Sequence, residues 1–327
     1  MHIPENYLSP ATCAVMGAAM VPVWAKSIKK VALNIPKEKM PLIGLGAAFS
    51  FVGMMFNIPL PGGTTGHAVG GTLIALLLGP EAACLAMSIV LLIQALLFGD
   101  GGILALGANC FNMAFILPFV GFAIYKLIAN KVEGKKGELI GAAVGSYVGI
   151  NAAALAAAIE FGIQPLLFND AAGQPLYCPY GLTTAIPAMM IGHLTIFGLA
   201  EVLFTTVIYA FVLKNAPDYK VDKTEKITKP AFIVLAVLMI LTPIGLLAEG
   251  TAWGEWGVEE FLEMIGYTPA GMETGFEMST IMPDYAIGNL PDIAAYILSA
   301  IIGVAIVIIL FRVIAAFMHD KKKYAED

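Results

Sequence analysis

Nine apolar runs dominate the chain, at 10–25, 41–58, 67–79, 81–98, 103–126, 138–160, 181–213, 230–247 and 292–317, each broken from the next by Gly, Pro or charge. A helix needs about 20 apolar residues to cross the hydrocarbon core of a bilayer. Lipid admits only structures that satisfy their own backbone polar groups. The runs therefore predict an all-α, polytopic membrane bundle of about nine spans. The third run, HAVGGTLIALLLG, stops at Pro80 and suits a partial or tilted helix, and the seventh is long enough to overshoot the bilayer. A soluble domain is excluded, because only 13% of residues are charged and 59% are hydrophobic, against about a quarter charged in a soluble domain.

The few charges set the orientation. With the N-terminus outside, all 18 Lys and Arg fall in 26–40, 127–137, 214–229 and the tail after Phe317, or on the helix ends beside them. Cytoplasmic loops collect Lys and Arg, so this nine-span topology places the C-terminus in the cytoplasm. The basic residues form no patch large enough for nucleic acid. The segment Glu249–Pro291 carries Glu255, Glu259, Glu260, Glu263, Glu273, Glu277 and Asp284 and no basic residue. It reads either as a solvated external loop or as a surface that concentrates cations. Residues 1–214 form a seven-helix core, 215–229 a charged cytoplasmic linker, and 230–327 a two-span hairpin around the acidic loop. The first Lys is Lys26, so the start lacks the basic region of a signal peptide and the mature chain is expected to begin at Met1.

Cys13, Cys84, Cys110 and Cys178 form no CxxC pair, which argues against a zinc or iron–sulfur site. The first three read as apolar helix residues. Gly141, Gly145 and Gly149 repeat every fourth residue and predict a smooth ridge for close helix packing.

Metal chemistry is concentrated at the start. A free amine on Met1 and the amide nitrogen of His2 can close a five-membered chelate ring, and the same amide with the His2 imidazole closes a six-membered one. Three nitrogens then lie in one plane, and a fourth completes the N-rich square that suits Ni(II) or Cu(II). The amide must lose its proton, so binding depends on pH. His67, in IPLPGGTTGHAVGG on the same external face, is the candidate fourth donor, and Gly-rich chain can fold inward there where it lines a cavity. Alone, a His at a helix start is more often a cap or interfacial residue. Thr65 in this segment, with Asp100, Asn109 and Asn112 around QALLFGDGGILALGANCFNM, are candidates to orient the imidazoles from behind. Asp100 equally suits a cap of the fifth helix. His193 and Glu201 lie eight residues apart on one face of the seventh span, as a coupling pair or, the more favoured reading, a packing pair. His319 belongs to the basic tail.

The sequences MHIPENYLSP, PGGTTGHAVGG and ALLFGDGGILALGANCFNM, with the pattern of His193, Gly198, Glu201 and Thr205, resemble the CbiM/NikM family, the cobalt/nickel substrate-binding membrane component of energy-coupling-factor transporters. The likeness covers residues 1 to roughly 210, and 230–327 looks like the two-span accessory component of CbiN/NikN type fused in one chain. The resemblance implies that Met1, His2 and His67 bind Ni2+ or Co2+ as transported substrate, with nickel the closer match. It also implies a transmembrane coupling (T) protein and two cytoplasmic ABC-type ATPases as partners. The chain has no GxxxxGK[ST] phosphate loop, so it is expected to be a transporter subunit driven by others and not an enzyme. The alternative, a secondary cation transporter, needs more ionisable groups along a pathway than His193 and Glu201. An intramembrane metallohydrolase needs a motif such as HExxH, which is absent.

Overall fold

The computed structural model describes residues 1–60, 63–215, 225–248 and 250–318. Ten helices organise them: α1 Pro10–Asn34, α2 Met40–Met54, α3 Gly71–Leu78, α4 Pro80–Phe98, α5 Leu106–Ala129, α6 Gly134–Leu167, α7 Leu182–Asn215, α8 Lys229–Leu247, α9 Val258–Ile265 and α10 Asp292–Phe317. A two-stranded antiparallel hairpin, β1 Ile58–Leu60 with β2 Thr64–Gly66, lies between α2 and α3. The 215–229 linker lies largely outside the described residues, as do Glu249 and His319.

Among the described residues, seven helices have the length and apolar character of a membrane span: α1, α4, α5, α6, α7, α8 and α10. The runs at 41–58 and 67–79 are built differently. Helix α2 has 15 residues and α3 only 8, about 23 Å and 12 Å at 1.5 Å per residue. Between them the chain runs as the β-hairpin and then as the irregular segment His67–Gly70, almost wholly buried. Helix cannot continue there: Pro59 has no amide proton, and Gly70 holds φ +79°, a conformation that side chains disfavour. Membranes tolerate such backbone only when protein buries it.

The glycine ridge forms as expected. A Cβ added at Gly149 would stand 2.7 Å from the Leu117 carbonyl oxygen, and one at Gly145 would stand 2.5 Å from that of Gly121, so α5 and α6 approach backbone to backbone. Helix α10 packs on α2 with Gly303 under the Phe51 ring and Gly44 against Phe311. Tyr296 adds a hydrogen bond from its hydroxyl to the Met55 carbonyl (2.9 Å). The outer face of α1 leaves Val15, Val21, Ile28 and Leu33 exposed, as an apolar solvent permits. All four cysteines are buried free thiols.

Two ends of the bundle are distinct. Lys30 on α1 pairs with Glu81 at the start of α4 (2.6 Å), so the Pro80 turn lies at the end where the basic residues of α1 gather. The N-terminus and His67 meet at the opposite end. Three helices widen into π-helical turns, at Gln94–Phe98, Cys110–Ile116 and His193–Phe197. Turns of this kind re-aim side chains and occur often near functional sites.

Candidate metal centre

The first nine residues thread into the protein. Met1, His2, Ile3, Tyr7 and Leu8 are all buried. Asn109 reads the backbone of Ile3 with both ends of its amide: its Oδ1 accepts from the Ile3 N–H (2.8 Å) and its Nδ2 donates to the Ile3 carbonyl (3.0 Å). That carbonyl also accepts from the Gly102 N–H (2.8 Å). The Ile103 amide donates to the Glu5 carboxylate (2.7 Å). Ser9 then caps α1, accepting from the Thr12 N–H (3.1 Å). The DGG…LGAN segment is therefore a cradle for the N-terminal peptide.

This threading brings His2 beside His67, with ring centroids 5.2 Å apart and planes tilted by 44°. The His2 Nδ1 lies 3.2 Å from Asp100 Oδ1, while its Nε2 is buried without a partner. The His67 Nδ1 lies 3.2 Å from the Ala68 carbonyl oxygen. A proton on Nδ1 donated there leaves Nε2 with its lone pair free. The Met1 amine stands 3.6 Å from Glu255 Oε1, a residue of the acidic segment between α8 and α9.

Burial, followed by the positive amine, pushes the His2 imidazole down to about 3. Burial, then the neighbouring His2, then the amine do the same to His67. Values this low keep both rings neutral at neutral pH, so the 3.2 Å His2–Asp100 contact is not an ion pair. Burial raises the Glu255 carboxyl to about 7, with the Met1 amine acting against it. Neutral imidazoles, a terminal amine and a sheltered amide form a nitrogen-rich donor set. Among the described residues no group of three or more His, Cys, Asp or Glu side chains is disposed to hold a metal ion.

Residues 2–219 match the family model for the cobalt uptake substrate-specific transmembrane region, CbiM, over more than half of the chain. The chain belongs to the CbiM family. A PDGLE domain matches residues 228–320. The chain is 50% identical to the probable fused nickel transport protein LarMN of Lactiplantibacillus plantarum, covering 95% of this chain and 97% of that one. It is 47% identical to the fused nickel transport protein NikMN of Rhodobacter capsulatus, covering 94% and 95%. A crystal structure of a truncated transition metal transporter matches at 59% identity and TM-score 0.62, covering 65% of this chain and 99% of that one. This CbiM-family chain is accordingly a prokaryotic multi-pass membrane protein and a component of metal transport.

Several candidates lie elsewhere than the sequence suggested. Asp100 does not cap the fifth apolar helix, whose N-cap position is Ala105. It instead bridges His2 to Tyr285, whose hydroxyl donates at 2.5 Å, and accepts from Gln94 Nε2 at 3.2 Å. Asn112 donates to the buried Glu160 (2.8 Å). Thr65 is buried in β2, two residues before His67. His193 and Glu201 share a face but not a bond. The His193 Nδ1 meets the Met189 carbonyl (2.8 Å), and Glu201 accepts from the Val69 and Gly70 amides.

Glu255 and Tyr285 at the site were not anticipated. The sequence marked the acidic segment only as a surface, whereas part of it lies over the N-terminal peptide. Tyr7 donates to the Trp256 carbonyl (2.6 Å), and its ring meets Phe161 and Phe261 at 5.7 Å. The signal available was WGEWG, one acid between two tryptophans, a composition unlike that of a solvated loop.

Proposed function

We propose that the chain is the metal-capturing subunit of an ATP-driven energy-coupling-factor importer, taking a divalent transition metal at the face where Met1 lies, with nickel preferred to cobalt. The observation that carries this reading is the convergence of the Met1 amine, His2 and His67 in a buried site that keeps both imidazoles neutral. On capture the ammonium and the His2 amide each release a proton, and the metal closes the five- and six-membered rings. His2 Nδ1 is the ring nitrogen that closes the second ring, so capture exchanges its Asp100 contact for the metal and leaves the ring's one proton on Nε2. His67 Nε2 supplies the fourth corner. Four nitrogens in a plane suit Ni(II), and two relatives of near-full coverage are described as nickel transport proteins.

With no phosphate loop, the chain draws on a transmembrane coupling protein and two cytoplasmic ATPases for energy and catalyses no reaction itself. Lipid is its other partner. The secondary-transporter reading gains no support, because Glu201 accepts from the Val69 and Gly70 amides and the Thr205 hydroxyl, and His193 Nδ1 meets the Met189 carbonyl.

The test is nickel uptake into vesicles holding the chain alone or with coupling protein and ATPases. Uptake that requires all components and ATP is expected. Uptake by the chain alone down an ion gradient would contradict the proposal.

A further inference from the structure

Helix α7 presents His193, Phe197, Glu201 and Thr205 at four-residue spacing along one buried face. Its partner is the segment that carries His67. The Phe197 ring lies against Gly66, where an added Cβ would come within 2.7 Å of it. One turn further, the fully buried Glu201 carboxylate accepts from the Val69 N–H at 2.7 Å and from the Gly70 N–H at 3.0 Å. The two contacts bracket His67, one residue before it and two and three residues after it. Phe204 closes the same stretch from the side, with its ring 2.8 Å from a Cβ placed on Gly70.

A carboxylate at this depth is expensive unless strongly hydrogen-bonded. Here its partners are backbone amides of irregular chain, and an alternative without charge was open to a helix start: an Asn, Ser or Thr cap. The Glu201 Oε2 takes both successive amides and Oε1 shares the Gly70 N–H (3.1 Å), which fixes the direction in which the preceding peptide and imidazole point. We infer that Glu201 is a positioning residue for the metal site, setting the orientation of His67 through the Val69 and Gly70 amides, with Phe197 as the second clamp.

The bland alternative is a cap that only stabilises the start of α3. The two differ in the metal, because a cap alone would leave the coordination unchanged. This inference rests on the reading of His67 as a metal donor, so the experiment contains a control for that reading.

Cu(II), which takes the same N-rich planar geometry as Ni(II), is bound to the purified full-length chain, and nitrogen hyperfine structure in the electron paramagnetic resonance spectrum counts its nitrogen donors. Wild type is expected to show four nitrogens and H67A three. If H67A matches wild type, the site reading is at fault and not the role of Glu201. With that control in place, E201Q turns an N–H2 toward the Gly70 N–H whichever way its amide sits, because that N–H contacts both carboxylate oxygens. Its spectrum should shift toward that of H67A, and nickel affinity should fall about 10- to 100-fold, as for partners that orient ligands from behind. E201Q with a wild-type spectrum and affinity but a lowered Tm would overturn the inference and leave Glu201 as a cap. Should E201Q not fold, F197L releases the other side of His67 and decides by the same spectrum.

Discussion

At the scale of single residues, the proposed metal site keeps its two imidazoles free of protons. The two imidazoles are held down to about 3 by burial and by the nearby amine, against 6.5 in an unfolded chain. Between these values the unfolded state binds more protons on these rings than the folded one, so their contribution to the stability of the metal-free protein rises with pH through that window and is lost on acidification. The Glu255 carboxyl, raised to about 7, acts in the opposite sense over the same window, so the histidine contribution is read as a difference: from pH 7 to pH 5 the Tm of metal-free H67A should drop less than that of the wild type. Outer partners are separable from donors. N109A removes both hydrogen bonds to Ile3 and should weaken nickel binding about 10- to 100-fold, whereas H67A removes a donor and should weaken it by more. Isothermal titration checks both, and equal affinity in N109A and wild type would mean that the cradle does not set the site.

The residues most legible in the sequence were those whose chemistry is local. The proposed chelate of Met1 and His2 needs only covalent geometry to be drawn. Asn109 was marked by its place in LGAN, although its target, the Ile3 backbone, was not. Glu255 was invisible because its partner stands 254 positions away in the chain, and no periodicity connects an N-terminal amine to an acid between two tryptophans.

At the scale of elements, the apolar runs were legible because lipid imposes helix on any long apolar segment. The runs at 81–98, 230–247 and 292–317 agree with α4, α8 and α10 to within about a residue. The β-hairpin and the irregular His67–Gly70 segment were foreshadowed only by their glycines and prolines, since strands of three residues are too short to show an alternating pattern. The glycine ridge was legible through its spacing. Replacing Gly145 by Leu should force α5 and α6 apart, since even a Cβ has no space against the Gly121 carbonyl. A loss of about 1–3 kcal/mol, the usual range for overpacking, should appear as a lower Tm, while the same change at Gly173, with nothing within 4 Å of its Cβ but a φ of +83°, carries backbone strain alone.

At the scale of the whole molecule, the charge map and the packing suggest one orientation, with Met1, His67 and the acidic segment together at the end away from Lys30 and Glu81. Single cysteines at Thr64 and Thr274, in a background lacking the native four, should label from outside intact cells. Labelling of either only after permeabilisation would contradict the orientation.

The proposed site stands or falls with the free amino terminus. The Met1 nitrogen lies buried between Glu255 and the His2 backbone, and a single residue added before it converts the amine to an amide and displaces the new amine from both chelate rings. Nickel titration of the folded, N-terminally extended chain against the native one is the decisive measurement. Loss of binding by at least about 100-fold is expected, whereas equal affinity would show that the amine is not a ligand and that the metal is held elsewhere.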